Sequence, residues 1–246
     1  MIGLGSSHVF ADGQRLVRLR AFLFGSPLRR RVARRTSPAR LGVAGIALLG
    51  FGCLFALVRA KRSEQFDLVV TTTIQRRTNP WFAGLMNAVS WPGFPPQSRI
   101  IPPMLALMLW RLGLPLAAIF QFLGWQASFL ATLVKLRMNR PRPAHPTINV
   151  VVARIGGTSF PSGHVLGYVG VYGFLAYVVH TLVRPAWLRR AGVGFLTSLI
   201  ALVGPSRVYL GHHWTTDIMA SYCLGAGYLI GLIEFYRVAR SRFDRD

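Results

Sequence analysis

Residues 161–183 read PSGHVLGYVGVYGFLAYVVHTLV, a short polar segment followed by a long run without Asp, Glu, Lys or Arg. A helix needs roughly 20 apolar residues to cross the hydrocarbon core of a bilayer, and the run from 165 to 183 is close to that length. Only helices and closed barrels satisfy their backbone hydrogen bonds inside a membrane. The stretch therefore predicts a membrane-spanning helix with a polar motif at its start.

Similar apolar runs lie on both sides of this stretch. They cover residues 41–58, 100–110, 116–134, 191–203 and 218–236. With 165–183 they predict an all-α, polytopic membrane protein of about six transmembrane helices joined by short connections. Residues 66–93 mix Arg and Thr with apolar residues at helical spacing, which favours an interfacial amphipathic helix over a further span.

The chain divides into three parts by composition. Residues 1–40 are an arginine-rich tail, 41–240 form the six-helix membrane domain, and 241–246 are a basic C-terminal tail. The first tail is expected to lie in the cytoplasm, either without fixed structure or as an amphipathic helix on anionic lipid.

The chain carries 29 Lys and Arg against 7 Asp and Glu, a net charge of +22. Such an excess raises the question of nucleic acid. The arginines, however, lie in the first tail and at the ends of apolar runs, where anionic lipid headgroups are found. We therefore expect membrane lipids as partners and no nucleic acid, and the sequence leaves the oligomeric state open.

The basic segments also predict the topology. With six spans, the first tail, Arg111, the loop 184–190 and the C-terminal tail all fall on one side of the membrane. The positive-inside rule makes that side the cytoplasm. The chain is thus predicted to be an integral, multi-pass protein of a plasma or inner membrane with both termini cytoplasmic.

Three polar segments lie at the opposite, exoplasmic ends of the predicted helices. They run from Lys135 to Arg142-Pro143, over 161–164, and from Ser206-Arg207 through His213 to Asp217. Together they supply three cations, two imidazoles and one carboxylate. Cations bind a phosphoryl oxyanion, while one imidazole can attack phosphorus and another can protonate the leaving oxygen. The set suits phosphate ester chemistry.

Carboxylates are scarce in this part of the chain. No Asp or Glu occurs from Leu68 to Thr216, so Asp217 is the first carboxylate after a long gap. Catalytic Mg²⁺, Mn²⁺ and Ca²⁺ are normally held by several oxygen ligands that include carboxylates. The sequence predicts a reaction without a metal ion or another cofactor.

Two local patterns assign geometry to the imidazoles. His213 and Asp217 are four residues apart, which on a helix places them on one face, so that the carboxylate can orient the ring. His164 follows Ser162-Gly163 at a helix start, where unpaired N–H groups favour an anion. His212 stays open as a competitor of His213 on sequence grounds.

The three polar segments together resemble the motifs of the phosphatidic acid phosphatase type 2 superfamily. These motifs are Lys, six residues, Arg-Pro; Pro-Ser-Gly-His; and Ser-Arg, five residues, His, three residues, Asp. They match here at Lys135 with Arg142-Pro143, at 161–164, and at Ser206-Arg207, His213 and Asp217. The likeness covers roughly residues 66–236.

The resemblance implies a role for each matched residue. His213 would be the nucleophile, Asp217 its orienting carboxylate and His164 the general acid. The cations would hold the phosphate, and two residues at the helix start would donate hydrogen bonds to it; these are Lys135, Arg142 and Arg207, with Ser162 and Gly163. Arg137 and Arg140 have no place in the motifs and are expected to be solvated or to face lipid. Arg154 and His145 are candidates for a minor headgroup contact.

The resemblance implies metal-independent hydrolysis of a lipid phosphomonoester or a polyprenyl pyrophosphate through a phosphohistidine. A lipid phosphotransferase would use the same intermediate, and the motifs do not separate the two. A non-catalytic membrane protein that binds anionic lipid through its arginines is the alternative from another class. The six apolar runs argue against a soluble vanadium-dependent haloperoxidase, which shares the anion site.

Overall fold

The computed structural model describes residues 17–24, 37–77, 79–150 and 156–243, and these contain ten α-helices and no strand. The helices are α1 17–24, α2 Pro38–Arg59, α3 Glu64–Gln75, α4 Pro80–Ser90, α5 Gln97–Arg111, α6 Pro115–Trp125, α7 Ala127–Met138, α8 Gly163–Leu182, α9 Ala186–Tyr209 and α10 Thr215–Phe243. A 3₁₀ turn, Trp91–Gly93, follows α4. The predicted all-α class is confirmed.

Five helical segments are long and apolar enough to cross a membrane. They are Pro38–Arg59, Pro115–Met138, Gly163–Leu182, Ala186–Tyr209 and Thr215–Phe243. The second of these combines α6 and α7, which meet at Gln126. All five coincide with predicted spans, so the chain is a polytopic integral membrane protein.

The sixth predicted span, 100–110, corresponds to α5. This helix has only 15 residues, about 22 Å at 1.5 Å per residue. It nevertheless runs the length of the bundle, because α2 and α7 end at the same side, where Arg59 Nη1 donates to the carbonyl of Arg137 at 3.1 Å. The chain must return between them, and α5, which follows the Trp91–Gly93 turn at the motif end, makes that return. Six helical segments of the described chain therefore pass between the two ends of the bundle, with α6 and α7 counted as one segment.

The segment 66–93, expected to form one interfacial helix, contains two. Pro80 is the first residue of α4, and the side chain of Asn79 caps this helix by accepting from the Trp81 N–H at 2.8 Å. Proline at that position cannot continue a preceding helix but suits the start of a new one. Both helices lie on the motif end of the bundle, α3 against α9 and α10, and α4 against α9.

The central helix of the bundle is α8, which packs against α6, α7, α9 and α10. Glycines on α8 bring it close to its neighbours. A Cβ on Gly167 would lie 2.7 Å from Ser128 Oγ, and one on Gly170 would overlap the carbonyl oxygen of Gly124. These contacts fix the distance between α8 and the α6–α7 segment.

The tails are described only in part. Helix α1 lies within the predicted first tail, where Phe24 is buried and the carbonyl of Leu23 accepts from the Arg184 N–H at 2.8 Å. Residues 1–16 and 25–36 lie outside the described part of the chain, as do 244–246 of the predicted C-terminal tail. Helix α10 extends to Phe243 and thus includes the start of that tail. The predicted membrane role of the first tail stays a prediction.

The close approach at Gly170 makes a testable prediction. We expect Gly170→Ala to destabilise the folded protein by about 1–3 kcal/mol, because the new methyl group meets backbone rather than a flexible side chain. Gly194 is the matched control, since a Cβ there would meet nothing within 4 Å and alanine favours a helix by about 1 kcal/mol. Unfolding in detergent measures the stability of Gly170→Ala and of the control Gly194→Ala. Equal stability of the two variants would contradict the close packing at Gly170.

Candidate active site

The three motifs meet at one end of the bundle because the helices that carry them alternate in direction. Helix α7 ends near Lys135, α8 begins at Gly163, α9 ends just after Arg207, and α10 begins just before Asp217. The connections 139–162 and 210–214 supply the remaining motif residues. The order of short antiparallel helices thus brings together residues that are up to 82 positions apart, from Lys135 to Asp217.

His213 and Asp217 lie together as predicted, but they do not share one helix: His213 is in the bend before α10, which begins at Thr215, and Asp217 is in the first turn of α10. His213 Nδ1 is 3.5 Å from Asp217 Oδ2, and both residues are almost completely buried. The same carboxylate oxygen accepts from the Trp214 N–H at 2.9 Å. Among the described residues no hydrogen bond reaches Nδ1. The imidazole and the carboxylate therefore face each other at slightly more than hydrogen-bond distance. The ring is faced by the carboxylate that the spacing predicted.

The surroundings of His213 favour its neutral form. Burial lowers the pKa of the imidazole well below 6.5, and the nearby cations Arg207, Arg142 and Lys135 lower it further, as does His212. Its Nε2 lies 3.4 Å from Arg142 Nη1. A neutral imidazole has one nitrogen with a free lone pair, which is what a nucleophile requires.

The predicted cations surround this imidazole. Arg142 is tied to the backbone, since Nη1 donates to the carbonyl of His212 at 2.6 Å and Nε donates to that of Gly156 at 3.2 Å. Lys135 lies near enough to interact electrostatically with Arg142, Arg207 and Asp217. All three predicted phosphate-binding cations are therefore present at one site.

Arg207 differs from the other cations in being fully buried and incompletely bonded. Its Nη1 donates to Ser90 Oγ at 2.9 Å, and its guanidinium lies over the Phe94 ring at 4.8 Å. Nε and Nη2 have no hydrogen-bond partner among the described residues. Buried donors without partners are costly in a folded protein. They fit a site that binds an anion such as phosphate.

His164 stands in the first turn of α8, as predicted. Its ring meets the edge of Phe94 with centroids 5.0 Å apart, and its Nε2 has no hydrogen-bond partner within the described part of the chain. Ser162 caps the helix by accepting from the Val165 N–H at 3.5 Å, while its own N–H donates to Ser221 Oγ at 2.7 Å. The donors left for an anion are the Ser162 hydroxyl and the first-turn N–H groups that begin with Gly163.

The geometry separates His213 from its sequence neighbour. The ring of His212 is buried and lies edge-on to Phe94 with centroids 6.0 Å apart, and its carbonyl is the acceptor for Arg142. The carboxylate of Asp217 faces His213 instead. Of the two histidines, His213 is therefore the one that the carboxylate of Asp217 can orient.

The sequence interpretation of Arg140 is wrong, because this side chain is neither solvated nor in contact with lipid. It is only 10% exposed and forms two ion pairs, with Asp67 Oδ2 at 2.6 Å and with Asp217 Oδ1 at 2.6 Å. Asp67 on α3 is completely buried. Asp67 directly precedes the stretch 68–216, which has no Asp or Glu, and the sequence did not indicate a role for it. The fold nevertheless places Asp67 next to the site.

Three further predictions from the sequence concern residues at the end of α7 and in the connection 139–162 that follows it. Arg137 is exposed, as expected. The exposed ring of His145 bonds to Thr147 Oγ1 at 2.7 Å and lines a cavity of about 940 Å³ beside Arg140 and Arg142. Arg154 lies outside the described residues, so its predicted headgroup contact stays a prediction.

The described residues contain no group of three or more His, Cys, Asp or Glu side chains placed to hold a metal ion. The two carboxylates nearest the site, those of Asp67 and Asp217, are both occupied by Arg140. The donor set at His213 is dominated by cations, which repel a metal ion and attract an anion.

A cavity of about 230 Å³ opens beside His164. Its wall combines the N-terminal half of α8, including Tyr168 and Tyr172, with Arg99 of α5 and Trp125 of α6. The cavity is mainly apolar and aromatic, and it lies between helices that cross the membrane. Such a wall suits the non-phosphate part of an amphiphile.

Comparisons with known proteins agree with this arrangement. Phosphatidylglycerophosphatase B of Bacillus subtilis (strain 168) is 40% identical over 68 residues, which are 27% of this chain and 34% of that protein, so the matched stretch spans about a third of that relative. The crystal structure of the first transmembrane PAP2 type phosphatidylglycerolphosphate phosphatase from Bacillus subtilis has a TM-score of 0.65 at 23% identity, covering 78% of this chain and 94% of that one. The crystal structure of Aquifex aeolicus LpxE has a TM-score of 0.50 at 18% identity, covering 68% and 93%.

The two solved structures show a shared fold. The family model of the PAP2 superfamily matches residues 110–241, which is more than half of the chain and includes all three motifs. The chain therefore belongs to the PAP2 superfamily.

Proposed function

We propose that this protein hydrolyses the phosphomonoester or pyrophosphate group of a membrane lipid, without a metal ion, through a phosphohistidine on His213. The observation that carries the proposal is a buried imidazole placed between the carboxylate of Asp217 and the guanidinium of Arg142, with a pKa that burial and the nearby cations lower. Beside it, Arg207 presents two N–H donors without partners among the described residues. A nucleophile and an anion site thus coincide.

The first step follows from these positions. The Nε2 lone pair of His213 attacks phosphorus, the bond from phosphorus to the lipid oxygen breaks, and His164 gives a proton to that leaving oxygen. The cations Lys135, Arg142 and Arg207 stabilise the charge that builds up on the phosphoryl oxygens in the transition state. Asp217 stabilises the positive imidazole that forms, because it faces Nδ1.

The second step releases phosphate. Water attacks the phosphohistidine, His164 accepts a proton from that water, and the bond from phosphorus to Nε2 breaks. His213 then returns to its neutral form, which burial and the surrounding cations favour. Dividing the displacement between two steps is the gain from covalent catalysis.

The substrate class follows from the setting of the site. It lies at the ends of membrane helices, next to an apolar cavity beside His164, so an amphiphile can place its phosphate at His213 and its apolar part between α5 and α8. The names of the similar Bacillus proteins point to phosphatidylglycerol phosphate. Phosphatidic acid, lysolipid phosphates and polyprenyl pyrophosphates share the same chemistry. The charge pattern supports an exoplasmic site with both termini in the cytoplasm.

The first test measures phosphate release by the purified protein in detergent with EDTA, using a panel of lipid phosphates and pyrophosphates. We expect activity in EDTA, and a loss of at least about 10³-fold in His213→Ala because the nucleophile is gone. His180, an exposed histidine at the far end of α8, is the control, and His180→Ala should retain full activity.

Two outcomes would contradict the proposal. Activity abolished by EDTA would exclude the metal-free mechanism, and activity kept by His213→Ala would exclude the nucleophile. Transfer of the phosphoryl group to an added lipid or sugar alcohol in place of water would assign the protein as a phosphotransferase. A complete lack of turnover would favour the non-catalytic lipid-binding alternative.

The lowered pKa of His213 gives a second prediction. Because the folded protein disfavours the charged imidazole, the ring should gain its proton only well below pH 6.5 and should be neutral at pH 6.5 and above. Histidine-selective ¹⁵N NMR of the free protein in detergent measures this directly, with the resonance assigned by its absence in His213→Ala. A titration midpoint at or above 6.5 would contradict the electrostatic account of the site.

The position of His164 depends on a glycine in the connection between α4 and α5. A Cβ on Gly93 would overlap Cδ2 of the His164 ring and would lie 3.0 Å from its Nε2. Any side chain at position 93 must therefore displace the ring of the proposed general acid. Gly84, on the preceding helix, has open space around its Cα.

This contact gives a third prediction. Gly93→Ala should lower turnover of a lipid phosphate by at least about 10-fold, since general acid catalysis contributes roughly 10²–10⁴-fold. It should affect p-nitrophenyl phosphate much less, because that leaving group needs no proton. Gly84→Ala should behave like the wild type with both substrates. An equal loss with the two substrates would argue against His164 as the general acid.

A further inference from the structure

We infer that Arg140 and Asp67 are positioning residues for the reaction, and that they act through Asp217 on His213. The inference rests on the proposed function and extends it to two residues outside the three motifs. It starts from a chain of contacts that links α3, the connection after α7, the start of α10 and His213.

The carboxylate of Asp217 has its two oxygens divided between different tasks. Oδ1 accepts from Arg140 Nη1 at 2.6 Å. Oδ2 accepts from the Trp214 N–H at 2.9 Å and lies 3.5 Å from His213 Nδ1. With Oδ1 held by Arg140, the carboxylate cannot turn about its own axis, and Oδ2 is kept toward the imidazole.

Arg140 is in turn fixed by the groups around it. Nη1 also donates to Thr216 Oγ1 at 2.9 Å, and Nη2 donates to Asp67 Oδ2 at 2.6 Å and to Ser63 Oγ at 3.2 Å. The guanidinium lies over the Trp214 ring at 5.7 Å. The four terminal N–H groups are thereby all engaged.

This bonding distinguishes Arg140 from the phosphate-binding cations. Arg207 keeps two donors without partners in the described part of the chain, whereas the fork of Arg140 is occupied by two carboxylates and two hydroxyl groups. Arg140 therefore has no terminal donor to offer a phosphate. Its effect on the reaction has to pass through Asp217.

Asp67 holds Arg140 and Thr216 in place through hydrogen bonds to both residues. Its Oδ1 accepts from the Thr216 N–H at 2.8 Å, and its Oδ2 accepts from Thr216 Oγ1 at 2.8 Å as well as from Arg140. Asp67 thus fixes both the guanidinium and the first turn of α10, the helix that carries Asp217. A fully buried carboxylate is tolerated only when it is paired and hydrogen-bonded in this way.

The test compares Arg140→Gln and Asp67→Asn, singly, together and each combined with Asp217→Asn, in the full chain in detergent. The controls are Arg137→Gln on α7 and Glu64→Gln on α3, both exposed. Turnover and KM are measured on a lipid phosphate that the wild type hydrolyses, at a temperature at which every variant is folded.

We expect Arg140→Gln to lower kcat by about 100-fold and Asp67→Asn by about 10-fold, the range found when groups that orient a reacting side chain are lost. KM should change by less than about threefold, because no phosphate contact is removed. The double variant should lose much less than the product of the two single losses, since both residues act through Asp217. In the Asp217→Asn background, Arg140→Gln should cost less than about threefold.

Different results would overturn different statements. A raised KM with unchanged kcat would make Arg140 a phosphate ligand. An undiminished loss from Arg140→Gln in the Asp217→Asn background would make its role purely structural, and a loss in the exposed controls would show that the effect is unspecific. A wild type without phosphatase activity would instead refute the proposed function.

Discussion

The guanidinium of Arg140 between the carboxylates of Asp67 and Asp217 is the interaction on which the arrangement of the site depends. It joins α3, the connection after α7 and the start of α10, three segments that are far apart in sequence. Each carboxylate is fully buried, and a buried charge that loses its partner typically costs 3–5 kcal/mol. The three segments are therefore coupled: α3 cannot leave the bundle without exposing the proposed catalytic carboxylate.

The same interaction sets the charge of the site. Among the described residues, the buried or half-buried ionic groups of the site are four cations and two carboxylates, namely Lys135, Arg140, Arg142 and Arg207 with Asp67 and Asp217. Arg140 is neutralised by its two partners, so the positive excess lies on the cations that face His213. Two net positive charges match a phosphate group, which carries about −1.5 to −2 at pH 7. In the proposed mechanism, these fixed side chains supply the positive charge that a metal ion supplies in metal-dependent phosphatases.

The sequence predicted which motif residues lie together because the patterns that place them are local. The four-residue spacing predicted the proximity of His213 and Asp217, although His213 precedes α10, and the start of an apolar run predicted His164 in a first helical turn. The role of Asp67 could not be predicted, because the ion pair with Arg140 joins positions 73 residues apart and the hydrogen bonds with Thr216 join positions 149 apart. Charge spacing along one helix carries no information on such contacts. The close approach of Gly93 to His164 was missed for the same reason. The run 100–110 was expected as a membrane span, and it lies within α5 although this helix has only 15 residues.

The placement of His164 decides which helices meet the lipid. Displacement at phosphorus by His213 requires the leaving oxygen on the opposite side of the phosphoryl group, and this is the side on which a general acid is needed. The apolar cavity beside His164 is lined by Tyr168, Tyr172 and Trp125, so in the proposed reaction the lipid portion of the substrate extends toward α5, α6 and α8. The phosphate site is formed by the end of α7, the connection after it, the first turn of α8 and the α9–α10 connection. Changes farther along α5, α6 and α8 can therefore alter the lipid that is accepted while these segments keep one phosphate site.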